Sequence, residues 1–220
     1  MTIKNLIRLD FYAMKPLAKT MLCFLIVPII LGVVTQPGIS IMITLTFVVF
    51  MLNMVFAIAE KSNFSKLYGV LPIRSSQPIL SRYLFSLIIV SCTAVFAFLI
   101  YLILSITLDG SINWISGISF LTISIMISLF FISVQYPFYF KFEYSKATIM
   151  SILPYLICFA IGAPLLQYLM GNPDFYAFSM KVILYFQSNV LILVLLGIAI
   201  SLLMIFSSYT ISLHIQKKDI

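Results

Sequence analysis

The sequence predicts an all-α, polytopic membrane protein with six transmembrane helices. Three observations carry that prediction. Hydrophobic residues make up 63% of the 220-residue chain and charged residues only 9%, against about 25% charged in a typical soluble domain. The apolar residues form long continuous tracts rather than alternating, which favours spanning helices over a β-barrel. The charges gather in the connections between tracts, as membrane topology requires.

Taken in order, residues 1–19 are the first element. Ile3, Leu6, Ile7, Phe11 and Met14 recur at helical spacing and form an apolar face. Lys4, Arg8, Tyr12 and Lys15 lie on another. This predicts an amphipathic helix in the membrane interface, its basic face toward anionic head groups. No small-residue cleavage site marks a signal peptide. Lys19 and Glu60 then bracket an uncharged tract that "TQPG" at Thr35 to Gly38 divides, giving spans 20–34 and 39–59. A charged connection covers 60–82, and span three follows at 83–108. "DGSINW" is a short turn before span four at 114–136. "YPFYFKFEYSK" interrupts before span five at 147–170, and "GNPDFYAFSMK" before span six at 182–213. No charged residue is expected inside a span. The whole chain, 1–220, reads as a single transmembrane domain without an internal repeat, because the long connection after span two has no counterpart after span five.

Placing both termini in the cytoplasm puts every Lys and Arg except Lys181 on the cytoplasmic side. The positive-inside rule selects that orientation. The net charge of +7 is therefore a topology signal, and nucleic acid is not an expected partner.

Several chemistries lack their residues. Cys23, Cys92 and Cys158 are far apart, and the sole histidine, His214, stands at the end of span six, so no metal-ligand spacing is present. A serine protease would need a His or Lys beside a Ser within the bilayer. No phosphate-binding Gly-Lys-Ser/Thr loop exists. The chain is not expected to be an enzyme or to bind a cofactor. Midplane carboxylates for ion coupling are missing too. Asn53 and Gln135 are the isolated polar residues of the spans; each could line a substrate path or make an interhelical hydrogen bond. Two classes remain: the membrane half of a machine whose motor is another chain, or a non-catalytic membrane immunity or assembly factor.

The connection at 60–82 is much longer than a minimal turn. Phe64, Leu67, Tyr68 and Leu71 give a short helix one apolar face, and Gly69 and Pro72 end it. Ser76 can cap a second helix with Pro78 in its first turn, running on into span three. Such a face can enter a groove on a cytoplasmic partner or lie on the bilayer.

"AIAEKSNFSKLYGVLPIRSSQPILSRYLFSL" resembles the corresponding loop of type-two ABC transporter permeases, the small six-span subunits of bacterial ABC exporters. The matching features are the pair Glu60-Lys61, the aromatic helix Phe64 to Tyr68, the step Leu71-Pro72-Ile73-Arg74, and Ser81-Arg82-Tyr83-Leu84. "LIRLDFYAMK" is similar to the family's N-terminal amphipathic helix. The resemblance implies a multi-pass protein of the bacterial cytoplasmic membrane. It implies pairing with a second permease, identical or related, and with two ATPase subunits that hold ATP and Mg. It assigns the ATPase-coupling role to Glu60, Lys61, Phe64, Lys66, Leu67, Tyr68, Leu71, Pro72 and Arg74. Amphipathic peptide is the expected cargo, for toxin export or self-immunity, because the spans carry no charge.

Overall fold

The computed structural model describes residues 3–17, 26–62, 76–142 and 144–218. All regular structure among them is helical. The helices are α1 (Ile3–Met14), α2 (Ile26–Val34), α3 (Pro37–Lys61), α4 (Ser76–Asp109), α5 (Trp114–Lys141), α6 (Tyr144–Ile157), α7 (Ala163–Met170), α8 (Pro173–Ser188) and α9 (Val190–Lys218). A π-helical turn, Cys158–Gly162, joins α6 to α7 and lies just before Pro164. Among the described residues five stretches are long and apolar enough to cross a membrane: α3, α4, α5, Tyr144–Met170 and α9. Of the first expected span, 20–34, only the nine-residue α2 is described.

Helices α3 and α5 form the centre. Helix α3 packs on α4, α5, α2 and α1; α5 packs on α9, α3, α6 and α4. The buried stripe of α3 is Ile41, Leu45, Val48, Val49, Leu52 and Val55, spaced to share one helix face. It meets Tyr83, Val90, Ala94, Ala97 and Tyr101 of α4, and Leu129, Ile132 and Tyr136 of α5, in one core. In lipid, such packing rests on close van der Waals fit, and small residues permit it. Gly117 lies against the Tyr101 ring and Gly38 against the Phe120 ring, so neither site has room for a Cβ.

Local chemistry sets the ends. Helix α3 starts with Pro37 in its first turn, where a missing N–H costs nothing. Gly110 takes a left-handed φ of 68° in the turn after α4. Tyr101 Oη donates to the Asn113 carbonyl at 2.7 Å, and Ser105 Oγ to the Ser111 carbonyl at 2.9 Å, fixing that turn. Asn113 caps α5, its Oδ1 accepting from Ser116 N–H at 3.1 Å.

Helix α4 begins at Ser76, where the second helix of the 60–82 connection is expected, and runs through Arg82 into span three. Three other expected boundaries move. Helix α5 continues through Pro137 to Lys141 instead of stopping at Tyr136. Pro137 has no N–H for the Ser133 carbonyl; the Ser208 hydroxyl of α9 donates to it at 2.6 Å instead. "GNPDFYAFSMK" is not a loop: Asn172 Oδ1 accepts from Asp174 N–H at 3.0 Å, Pro173 opens the helix, and α8 runs to Ser188. The expected span 182–213 is consequently divided at Asn189, and α9 starts at Val190.

Candidate functional site

The polar side chains of the bundle converge at one end, where α1, the last turns of α3 and α5, the first turns of α4 and α6, and the end of α9 meet. At its centre is an ion pair. Arg82 Nε lies 3.2 Å from Asp10 Oδ1, with the two side chains 5% and 1% exposed. Those values make it a fully desolvated pair, so its opposite charges must be matched locally. The Arg82 guanidinium also stands over the Phe56 ring of α3 at 4.9 Å. Arg82 Nη1 is buried and has no hydrogen-bond partner among the described residues.

Asp10 reaches this position because Leu6, Asp10 and Met14 share one stripe of α1, and all three are buried. Phe11 adds an edge-on contact with Phe85 of α4, ring centroids 4.9 Å apart. Burial pushes the Asp10 carboxyl up to about 6, with Arg82 pulling less strongly the other way. The expected split of α1 into an apolar and a basic face holds only in part, since its most buried stripe contains an acid. Arg82 precedes the expected span 83–108 and sits in the opening turns of the helix that continues into it. The signal available in the sequence was the i−4/i+4 placement of Asp10 between Leu6 and Met14.

Aromatic rings surround the pair. Phe56 stacks on Tyr139 at 4.8 Å and meets Tyr136 edge-on at 5.1 Å. Tyr83 meets Tyr136 at 5.1 Å and Tyr209 at 5.9 Å. The Tyr83 hydroxyl is 2.6 Å from Ser208 Oγ and 3.0 Å from Ser212 Oγ. With the Ser208 proton on the Ser133 carbonyl, Tyr83 donates to Ser208. A hydrogen-bond chain therefore runs from α4 through α9 to the Pro137 gap in α5.

Asn53 and Gln135 are brought together. Asn53 Nδ2 donates to Gln135 Oε1 at 2.9 Å, and Gln135 Nε2 donates to the Ser151 carbonyl at 3.2 Å. This ties α3 to α5 and α5 to α6. Asn53 Oδ1 has no partner among the described residues. Glu60 accepts from the backbone N–H of Tyr144, the first residue of α6. A carboxylate at a helix N-terminus satisfies an orphan donor and complements the helix dipole. Lys61 is exposed at the end of α3. Phe64, Lys66, Leu67, Tyr68, Leu71, Pro72 and Arg74 lie outside the described residues.

Among the described residues no group of His, Cys, Asp and Glu has the geometry of a metal centre. The hydroxyls of Thr44, Thr46, Thr93, Thr122 and Ser124 donate to carbonyls of their own helices. They add little polarity to the helix faces.

Several apolar helices long enough to span, packed around a neutralised polar centre, define a multi-pass membrane protein. The chain belongs to the ABC-2 family transporter proteins, whose family model matches residues 5–217. It is accordingly a transporter's membrane component. No curated protein and no solved structure gave a significant match.

Proposed function

We propose that the chain is the permease subunit of an ATP-driven exporter in the bacterial cytoplasmic membrane, with both termini inside. Separate ABC ATPase subunits hold ATP and Mg, and a second permease, identical or related, completes the pathway. Residues 60–74 take the coupling role, with Phe64, Leu67, Tyr68 and Leu71 as the apolar anchor. Amphipathic peptide is the cargo that suits helix faces whose hydroxyls are turned onto their own backbones.

The observation that carries this reading is the bond from Glu60 to the first N–H of α6. Glu60 leaves α3 just ahead of the proposed coupling segment. A push on that segment would reach two spanning helices together, through α3 and through the start of α6. Rigid-element transmission of this kind needs two packed arrangements of the bundle. The lightly buried Tyr144–Met170 and α9 stretches leave apolar surface for lipid and for the second permease.

Copurification from bacterial membranes tests the reading. An ATP-binding subunit should accompany the intact chain, and Phe64→Ala with Tyr68→Ala should abolish export-linked ATP hydrolysis. A chain that protects cells from a peptide with no ATPase attached and no ATP requirement would instead be an immunity factor.

A further inference from the structure

An open groove of about 510 Å³ lies between α5 and α9. Phe130 and Val134 of α5 and Met204 and Ile211 of α9 form its walls, and Lys141 stands at one end. We propose that this groove is a binding site for an anionic phospholipid of the inner leaflet, one acyl chain along the groove and the phosphate against Lys141. The leaflet assignment rests on the orientation given under Proposed function.

Length is the first argument. From Phe130 to Lys141 the helix rises roughly 16 Å at 1.5 Å per residue. That is close to half of a hydrocarbon core about 30 Å thick. A groove of this length, starting at a basic side chain, matches one leaflet from head group to midplane.

Polarity is the second. Three serines line the groove, Ser133, Ser207 and Ser208, and each hydroxyl is already used. Ser133 Oγ donates to the Leu129 carbonyl at 2.7 Å, Ser207 Oγ to the Met204 carbonyl at 2.8 Å, and Ser208 Oγ to the Ser133 carbonyl at 2.6 Å. An acyl chain therefore strands no polar group. Lys141 is the exception. It is exposed, its ammonium lies 5.2 Å from the Phe142 ring centroid, and no carboxylate among the described residues lies within ion-pair distance of it.

Charge decides between lipid and a second copy of the chain. The same end of the bundle carries exposed Lys61, and the chain's net charge is +7. A second copy would bring more positive charge to Lys141. A phosphodiester brings the opposite sign, worth about 1 kcal/mol per basic residue at an anionic surface.

Native mass spectrometry of the purified full-length protein, titrated with phosphatidylglycerol or phosphatidylcholine, tests the site without any ATPase. Wild type should retain phosphatidylglycerol about five-fold more tightly. Lys141→Gln should erase that preference, and Ser207→Phe, which fills the groove from an exposed position, should weaken both lipids. Equal retention of the two lipids by wild type, an undiminished preference in Lys141→Gln, or undiminished retention of both lipids in Ser207→Phe would each overturn the proposal. So would a disulfide-linked dimer formed through Ser207→Cys once Cys23, Cys92 and Cys158 are replaced by Ser, since a second copy would then occupy the groove.

Discussion

Arg82 Nε of α4 lies 3.2 Å from Asp10 Oδ1 of α1, and water reaches neither side chain. The contact locks the N-terminal helix onto the bundle. Removing one partner leaves an uncompensated buried charge, at a cost of about 3–5 kcal/mol. Replacing both by apolar residues of similar volume removes that penalty. Asp10→Ala and Arg82→Met should therefore each lower the thermal unfolding midpoint in detergent strongly. Asp10→Leu with Arg82→Met should recover most of the loss. Additive losses in this double-mutant cycle would mean that the two side chains act independently.

The same pair gives a pH dependence. Burial, the larger effect, raises Asp10 from 3.8 to about 6, and the charge of Arg82 only partly opposes it. The folded carboxyl thus holds its proton over a range in which the unfolded one has lost it. The linked stabilisation is complete below the unfolded value and disappears as pH rises through the folded one. Wild type should gain stability relative to Asp10→Asn when pH falls from neutral to about 5. A midpoint difference that stays flat across this range, read by differential scanning fluorimetry, contradicts the assignment.

Ser208 stands in for the amide that Pro137 lacks. Ser208→Ala should cost about 1 kcal/mol, the scale of interhelical hydrogen bonds in membranes. In a Pro137→Ala background the helix can supply its own donor to the Ser133 carbonyl, so Ser208→Ala should cost less there. The Tyr83 hydroxyl would lose a partner in both backgrounds, which makes the difference specific to the carbonyl. Equal costs in the two backgrounds would exclude the compensation.

Local signals in the sequence carry the helical class and many helix ends. Pro37 and Gly38 punctuate the start of α3, and Asn113 has the short polar side chain an N-cap needs. Features that depend on distant partners are illegible in the same way. Pro137 reads as a stop because the hydroxyl that satisfies the Ser133 carbonyl lies 75 residues from that serine. Arg82 reads as the flank of a span because charges ordinarily mark ends, and only α1 folding back supplies its counter-ion. Asp10 alone in an amphipathic segment reads as a solvated residue, although Leu6 and Met14 bracket it on one stripe. Asn172-Pro173 resembles loop chemistry until its cap on α8 is formed. Asn53 and Gln135 stand out in sequence as isolated polar residues, but their bond to each other does not.

Close helix contacts make another prediction. A Cβ on Gly117 would overlap the Tyr101 ring, whose hydroxyl is committed to the Asn113 carbonyl. The ring cannot swing away without breaking that bond. Gly117→Ala should destabilise by about 1–3 kcal/mol, as overpacking does. Gly162 has open space around it, so Gly162→Ala serves as the control and should change little. Comparable unfolding midpoints for the two variants would show that α4 and α5 are packed less tightly than this.

Glu60 gives the prediction closest to function. Its carboxylate holds the first amide of α6, while its own helix ends one residue later. Glu60→Ala removes the acceptor, at a cost of about 1 kcal/mol for a lost cap. Glu60→Gln keeps an acceptor oxygen without the charge and should lose only the share due to the helix dipole. Hydrogen–deuterium exchange at the amides of Tyr144 and its neighbours should rise in Glu60→Ala and less in Glu60→Gln. If the contact also transmits motion from α3 to α6, export-linked ATP hydrolysis by the assembled transporter should fall in the same order. Increased exchange with fully retained coupling would reduce Glu60 to a cap. Unchanged exchange in Glu60→Ala would remove even that role.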